Sequence, residues 1–265
     1  MRDRAPRKAL CLFSGTRMKI IFWNLGYVRQ VDGSLFSYIK NSKRLVHHDK
    51  DSQKKVIEEV AALVTRVEPD VFAYAEILTG SKRNQYFNQH RYLRSLMSRE
   101  HHVTSAVTKY GNTIFSSLPF HKGNSNGVIS FLPATITNHY LQHSRKKLIQ
   151  EIRLEGLTLF VGHLPLVSRD REKQFKEIAA LVNGTEGDVV LCGDFNILNG
   201  FDELDFLKKE TGLRVAGENI PTFPSRRPKI QIDVFMYRFA DTSKIPKFSV
   251  IKSLASDHLP IVLEW

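Results

Sequence analysis

The chain has 265 residues, 42% of them hydrophobic and 25% charged, a composition that excludes collagen-like, disulfide-scaffold and wholly disordered chains. Its length suits one large sandwich or α/β domain, and 39 Lys and Arg against 27 Asp and Glu leave a formal charge of +12. That balance points to an anionic partner: nucleic acid, another phosphoester or an anionic lipid surface.

Residues 1–17 exaggerate the charge, because Arg2, Arg4, Arg7, Lys8 and Arg17 face only Asp3. They read as a flexible basic tail ahead of a domain over 18–265, with a transit segment as the sharper alternative; no apolar h-region or small-residue cleavage signature marks a secretory signal. No stretch reaches the ~18 apolar residues of a membrane span. Cys11 and Cys192 are too few for a disulfide framework or a thiolate metal site, so a reducing compartment is expected, most simply the cytoplasm.

Lys19-Ile-Ile-Phe-Trp23, ending at Asn24, predicts a buried strand, and the polar stretch over 30–51 predicts a solvated connection or a substrate-facing loop. Val56, Val60, Leu63, Val64 and Val67 recur at spacings of three and four, predicting a helix from Ser52 that Pro69 stops. Residues 70–76 read as a strand closing on a carboxylate, and 86–97 as a second helix. Short β-prone runs follow at 103–107, 113–115, 128–132, 135–140, 148–154 and 157–161; their close spacing predicts antiparallel hairpins. A helix over 170–182, with Phe175, Ile178, Ala179 and Val182 on one stripe, precedes a strand at 188–192. Strands at 230–237 and 261–265 end the chain. The predicted architecture is α/β: two packed, mostly antiparallel sheets with helices outside.

Polar residues punctuate these strand ends: Asn24, Glu76, His163, Asp194 with Asn196, and Asp257 with His258, while Asp233 lies inside a further apolar run. Taken singly, each is an ordinary turn residue or helix cap. Together they supply hard oxygen ligands for a divalent ion, two imidazoles, and amides that bind a phosphoryl oxygen without adding negative charge. His47-His48 and His101-His102 are adjacent pairs, which on a strand point to opposite faces and make no ligand clamp.

The blocks Phe22-Trp-Asn24, Tyr74-Ala-Glu76, Tyr110-Gly-Asn-Thr-Ile-Phe-Ser-Ser117, Gly162-His-Leu164, Gly193-Asp-Phe-Asn196, Gln231-Ile-Asp-Val234 and Ser256-Asp-His258 stand in this order. In type and order they resemble the motifs of the endonuclease/exonuclease/phosphatase superfamily with the DNase-like fold, and the resemblance covers Met18 to Trp265. It implies a four-layer α/β sandwich and metal-dependent cleavage of phosphate esters. It further implies that Glu76 ligates Mg²⁺ or Mn²⁺ with help from Asn24 and Asp257, that Asp194 orients or deprotonates the attacking water, and that Asn196 hydrogen-bonds the phosphate. His258, aligned by Asp233, would stabilise the phosphoryl oxygens, and His163 would donate from the opposite side. A local turn or Arg238 is the alternative partner for Asp233. Oxygen ligands with retained waters suit Mg²⁺ better than zinc.

There is one departure: many nuclease members carry a second acidic residue two positions after the Trp-Asn asparagine, where this chain has Gly26, so a metal shell that is thinner there, or filled by water, is expected. Ser168 is the expected N-cap of a helix whose N-terminus, with Arg169 or Arg171, would hold a phosphate. Asn112, Arg226 and Arg227 are expected on the substrate side, the two arginines against the alternative of plain solvation. The expected function is that of a monomeric, Mg²⁺-dependent phosphodiesterase acting on DNA or RNA. Hydrolysis of a phospholipid or small phosphoester is the runner-up, with peripheral contact to an anionic membrane left open. A catalytically silent binding module is disfavoured, since the central positions other than Gly26 carry competent residues.

Overall fold

The computed structural model describes residues 17–29, 49–118 and 121–265. The expectations for residues 1–16, for most of the polar connection and for His47-His48 lie outside these. Among the described residues the strands are β1 (Lys19–Asn24), β2 (Val71–Leu78), β3 (Val103–Thr108), β4 (Asn124–Ser130), β5 (Thr135–Tyr140), β6 (Leu148–Leu154), β7 (Leu157–His163), β8 (Asp188–Asp194), β9 (Arg214–Ala216), β10 (Asp233–Arg238), β11 (Lys247–Val250) and β12 (Ile261–Glu264). The helices are α1 (Lys50–Val67), α2 (Gln89–Ser95), α3 (Ile114–Ser117), α4 (Ser168–Asn183) and α5 (Asp205–Thr211).

Two six-stranded mixed sheets result, in the orders β11-β12-β1-β2-β4-β3 and β5-β6-β7-β8-β10-β9. Each holds one parallel pair, β1 with β2 and β7 with β8. The hairpins expected from close strand spacing pair antiparallel, as β3 with β4, β5 with β6 and β6 with β7. Period-two alternation explains the layering. Ile20 and Phe22 of β1 face inward onto Ile152, Leu159, Val190 and Phe235 of the other sheet. Ile21 and Trp23 face outward onto Val56, Val60 and Val64 of α1. On the far side Phe160 and Leu191 pack against Phe175 and Ile178 of α4 and Leu207 of α5. The four layers are therefore helix, sheet, sheet, helix.

Several boundaries differ from expectation. α1 begins at Lys50 because the Asp49 side chain accepts from Ser52 N at 2.9 Å and caps it. The run 113–115, expected as a strand, instead leads into the short helix α3, which begins at Ile114. β10 starts at Asp233, and Ile230 makes only an isolated bridge with Phe223. Ser168 opens α4 as its first helical residue; Val167 is the cap position and makes no side-chain capping bond. Among the described residues no helix is long and apolar enough to cross a membrane.

Candidate active site

The two parallel pairs end at the same place. β1 and β2 deliver Asn24 and Glu76, while β7 and β8 deliver His163 directly opposite Asp194 in the sheet. β10 runs antiparallel to β8, so its first residue, Asp233, also pairs with Asp194. Glu76 lies at an irregularity between Tyr74 and Ile77, with φ of 56°. This bulge lets β2 run on to Leu78, past the strand end expected at the carboxylate. The tight Gly162/Gly193 crossing needs glycine, since a Cβ on Gly193 would lie 2.0 Å from Gly162 O. The segment 256–258 is pinned onto β1, where Trp23 Nε1 donates to His258 O at 2.9 Å and Ser256 Oγ to Asn24 O at 2.6 Å.

These supports set a buried polar array. Asn24 Nδ2 donates to Asp194 Oδ2 at 2.8 Å, bridging the two sheets. His258 Nδ1 donates to Asp233 Oδ2 at 2.9 Å, and that carboxylate also accepts from Thr222 Oγ1 at 2.6 Å. His258 Nε2 and His163 Nε2 stand 3.9 Å and 3.3 Å from Asp194 Oδ2. Arg238, the alternative partner of Asp233, instead donates to the carbonyls of Thr211, Val182 and Thr185. Asn196 gives one amide N–H to Leu164 O at 2.9 Å, which ties the β8 and β7 ends together.

Burial alone would lower the His258 pKa, but the Asp233 and Asp194 carboxylates overcome it and raise it to about 10. The imidazole is thus a cation whose Nε2 is directed at the site. Burial, with Asp233 adding to it, raises the Asp194 pKa against the pull of His258, which makes it a better proton acceptor. Burial and then the Lys146 and Lys109 ammonium groups hold His163 well below the usual histidine range, so it is neutral.

Two of these groups escape sequence reasoning. Lys109 Nζ bonds Glu76 Oε1 at 3.0 Å and sits 4.9 Å above the Tyr27 ring. Lys146 Nζ is in hydrogen-bond contact with His163 Nε2. Burial raises the Glu76 pKa, but Lys109 foremost and then Lys146 outweigh it and bring it down to about 2. A lysine before the Tyr110-Gly block and another two residues ahead of the β6 run look like surface residues in sequence. The available signal was position: Lys109 directly precedes a stretch already singled out, and Lys146 is one residue removed from another.

Glu76, Asn24 and Asp257 offer hard oxygens, a donor set that fits a divalent ion of the Mg²⁺ type. Gly26 answers the missing acidic residue: at φ 53° a Cβ there would come within 2.7 Å of Asp257 Oδ1, so Asp257 fills the space of a side chain. Asp194, Asp233 and His258 also bring ligand atoms within 4.8 Å of one another, a spacing that would serve a metal ion only once His258 gives up its proton.

The remaining expected residues divide. Arg226 and Arg227 are exposed on the hairpin whose Phe223 ring packs 4.9 Å from the His258 ring. Arg169 and Asn112 are exposed. Arg171 needs correction. It is buried, donating to Glu203 Oε2 and to the carbonyls of Pro165 and Leu166, so its guanidinium is already committed within the protein. Glu203 in turn accepts from Asn199 N at 3.0 Å, which makes the pair a clasp between the loops after β7 and β8. Arg171→Met is expected to cost about 3 kcal/mol, because it strands a largely buried carboxylate and two carbonyls. Urea unfolding measures this, and a loss under ~0.5 kcal/mol would refute the clasp.

A carboxylate poised as base, a fixed imidazolium and nearby ammonium groups at one point suit water attacking an anionic centre, which defines the class as phosphoester hydrolase. The sequence profile of the endonuclease/exonuclease/phosphatase family matches residues 22–258, and the chain belongs to that metal-dependent family. Solved structures share the fold. A family protein from Bacteroides thetaiotaomicron superposes with a TM-score of 0.66 at 12% identity, covering 94% of this chain and 97% of that one. A mannosyl-6-phosphatase from Bacteroides thetaiotaomicron VPI-5482 gives 0.64 at 13%, covering 93% and 98%. D. rerio TDP2 complexed with a single-strand DNA product gives 0.62 at 14%, covering 94% and 98%. The comparison with curated proteins yields no match.

Proposed function

We propose that residues 18–265 form one catalytic domain that hydrolyses phosphodiesters of DNA or RNA with Mg²⁺, acting as a monomer in the cytoplasm. The observation that carries this reading is Asp194, held by Asn24 within 4 Å of both His163 and the His258 cation. In it, Asp194 accepts the proton of the attacking water. His258, fixed by Asp233, donates from Nε2 to a non-bridging phosphoryl oxygen, and Asn196 offers its remaining amide N–H to the phosphate. Glu76, Asn24 and Asp257 would hold the divalent ion, which when bound neutralises charge on the phosphoryl oxygens. The formal charge of +12 favours a substrate with many phosphates, and the single-strand DNA product on D. rerio TDP2 makes nucleic acid the first class to examine.

A phospholipid substrate has one observation in its favour. Leu166, Val167 and Leu198 are exposed on the two loops joined by the Arg171–Glu203 clasp, just beyond His163 and Asn196, and give the site an apolar lip. A panel of duplex, single-stranded and abasic DNA, RNA, phosphomonoesters and phospholipid vesicles, each with Mg²⁺ and with EDTA, separates these readings. Cleavage of a nucleic acid is expected, lost with EDTA and weakened ~10-fold or more between roughly 50 and 200 mM salt. Cleavage of monoesters or vesicles alone, with little response to salt, would overturn the nucleic-acid assignment.

A further inference from the structure

The β5–β6 connection carries Lys146 and is held from several sides. Gln174 of α4 donates to the carbonyls of His143 and Lys146 at 2.7 and 2.6 Å. Glu177 accepts from Gln142 N at 2.7 Å, and Lys147 N donates to Lys109 O at 2.8 Å. This framework aims an ammonium group at His163 Nε2. An ammonium group only donates, so Nε2 must accept and the ring proton must lie on Nδ1, which has no hydrogen-bond partner among the described residues. A His163 engaged in this way has no proton on the nitrogen nearest Asp194. We propose that Lys146, rather than His163, is the catalytic proton donor to the leaving oxygen, with His163 as the positioning residue that aims it. The proposal rests on the phosphoester hydrolase reading and deepens it.

The step balances. Water forms the new P–O bond and gives its proton to Asp194. The bond to the leaving oxygen breaks with its electron pair, and that oxygen takes a proton from Lys146 Nζ. Asp194 then releases its proton to solvent and the Lys146 amine takes one up, restoring the starting state. Burial and then the charge of Lys109 bring the Lys146 pKa down to about 8, which eases the transfer.

A series of phosphodiesters differing only in leaving group tests this, from a nitrophenolate, which departs without a proton, to an alkoxide, which needs one. Lys146→Met is expected to lose ~10²-fold or more turnover on alkyl esters beyond whatever it loses on nitrophenyl esters. Circular dichroism of the variant is the control for folding. Lys146→Arg keeps the charge but cannot release a proton near neutrality, so it is expected to leave the alkyl-ester defect in place. Equal losses on both ester types, or restoration of alkyl-ester turnover by arginine, would overturn the proposal while leaving the hydrolase reading intact. A wild-type enzyme inert on every ester would instead overturn that reading, and this proposal with it.

Discussion

Asp194→Asn is expected to lower turnover at least ~10²-fold, the scale of a lost general base. The replacement keeps the shape of the side chain and one acceptor, so Asn24 Nδ2, now 2.8 Å from Asp194 Oδ2, retains a partner. The other carboxylate oxygen accepts from Asn196 N at 3.1 Å. An amide NH₂ there would oppose a donor, at a cost of roughly 1–3 kcal/mol. The variant is therefore expected to melt lower yet remain folded, which circular dichroism checks alongside turnover. Wild-type turnover in a folded Asp194→Asn protein would remove the residue from the mechanism. Glu76→Gln provides the contrasting case: it removes charge from the oxygen ligand set and should act chiefly by weakening Mg²⁺ binding, read by calorimetry.

Much of this site was legible because its chemistry sits where strands stop. Asn24, Glu76, His163 and Asp194 each follow an apolar run, and a parallel pair places the C-terminal ends of both strands on one edge, so strand boundaries alone bring these residues close. Asp233 was legible for the opposite reason, as a carboxylate inside an apolar run that demanded a partner. What stayed hidden depends on contacts distant in sequence. β9 has three residues and β11 four, too few to show a period, and each pairs with one neighbouring strand. Arg171 read as a phosphate contact because Glu203, its partner, is 32 positions away. Lys109 and Lys146 carry no sequence mark of burial; only the joining of the β3 end to the β5–β6 connection turns both ammonium groups toward Glu76 and His163.

Asp233→Asn is expected to return the His258 titration from about 10 toward its ordinary value of 6.5 or below, since burial of the ring then meets less opposing charge. Turnover should fall with it, because a neutral imidazole no longer presents a cation to the phosphoryl oxygen, while Mg²⁺ affinity should hold. Stability carries the same signature. A histidine whose pKa is raised on folding contributes stability that is fully present below its unfolded value and is lost as pH rises through the folded one. Wild type should therefore lose stability between about pH 6.5 and pH 10, and the variant should lose much less over that window. Urea unfolding across this range, with NMR titration of the His258 ring, reads both effects. The Thr222 hydroxyl, 2.6 Å from Asp233 Oδ2, can still donate to the asparagine oxygen, so the substitution tests charge more than packing. An identical His258 titration in the two proteins would show that the carboxylate does not govern the imidazole, and the cationic role of His258 would fall with it.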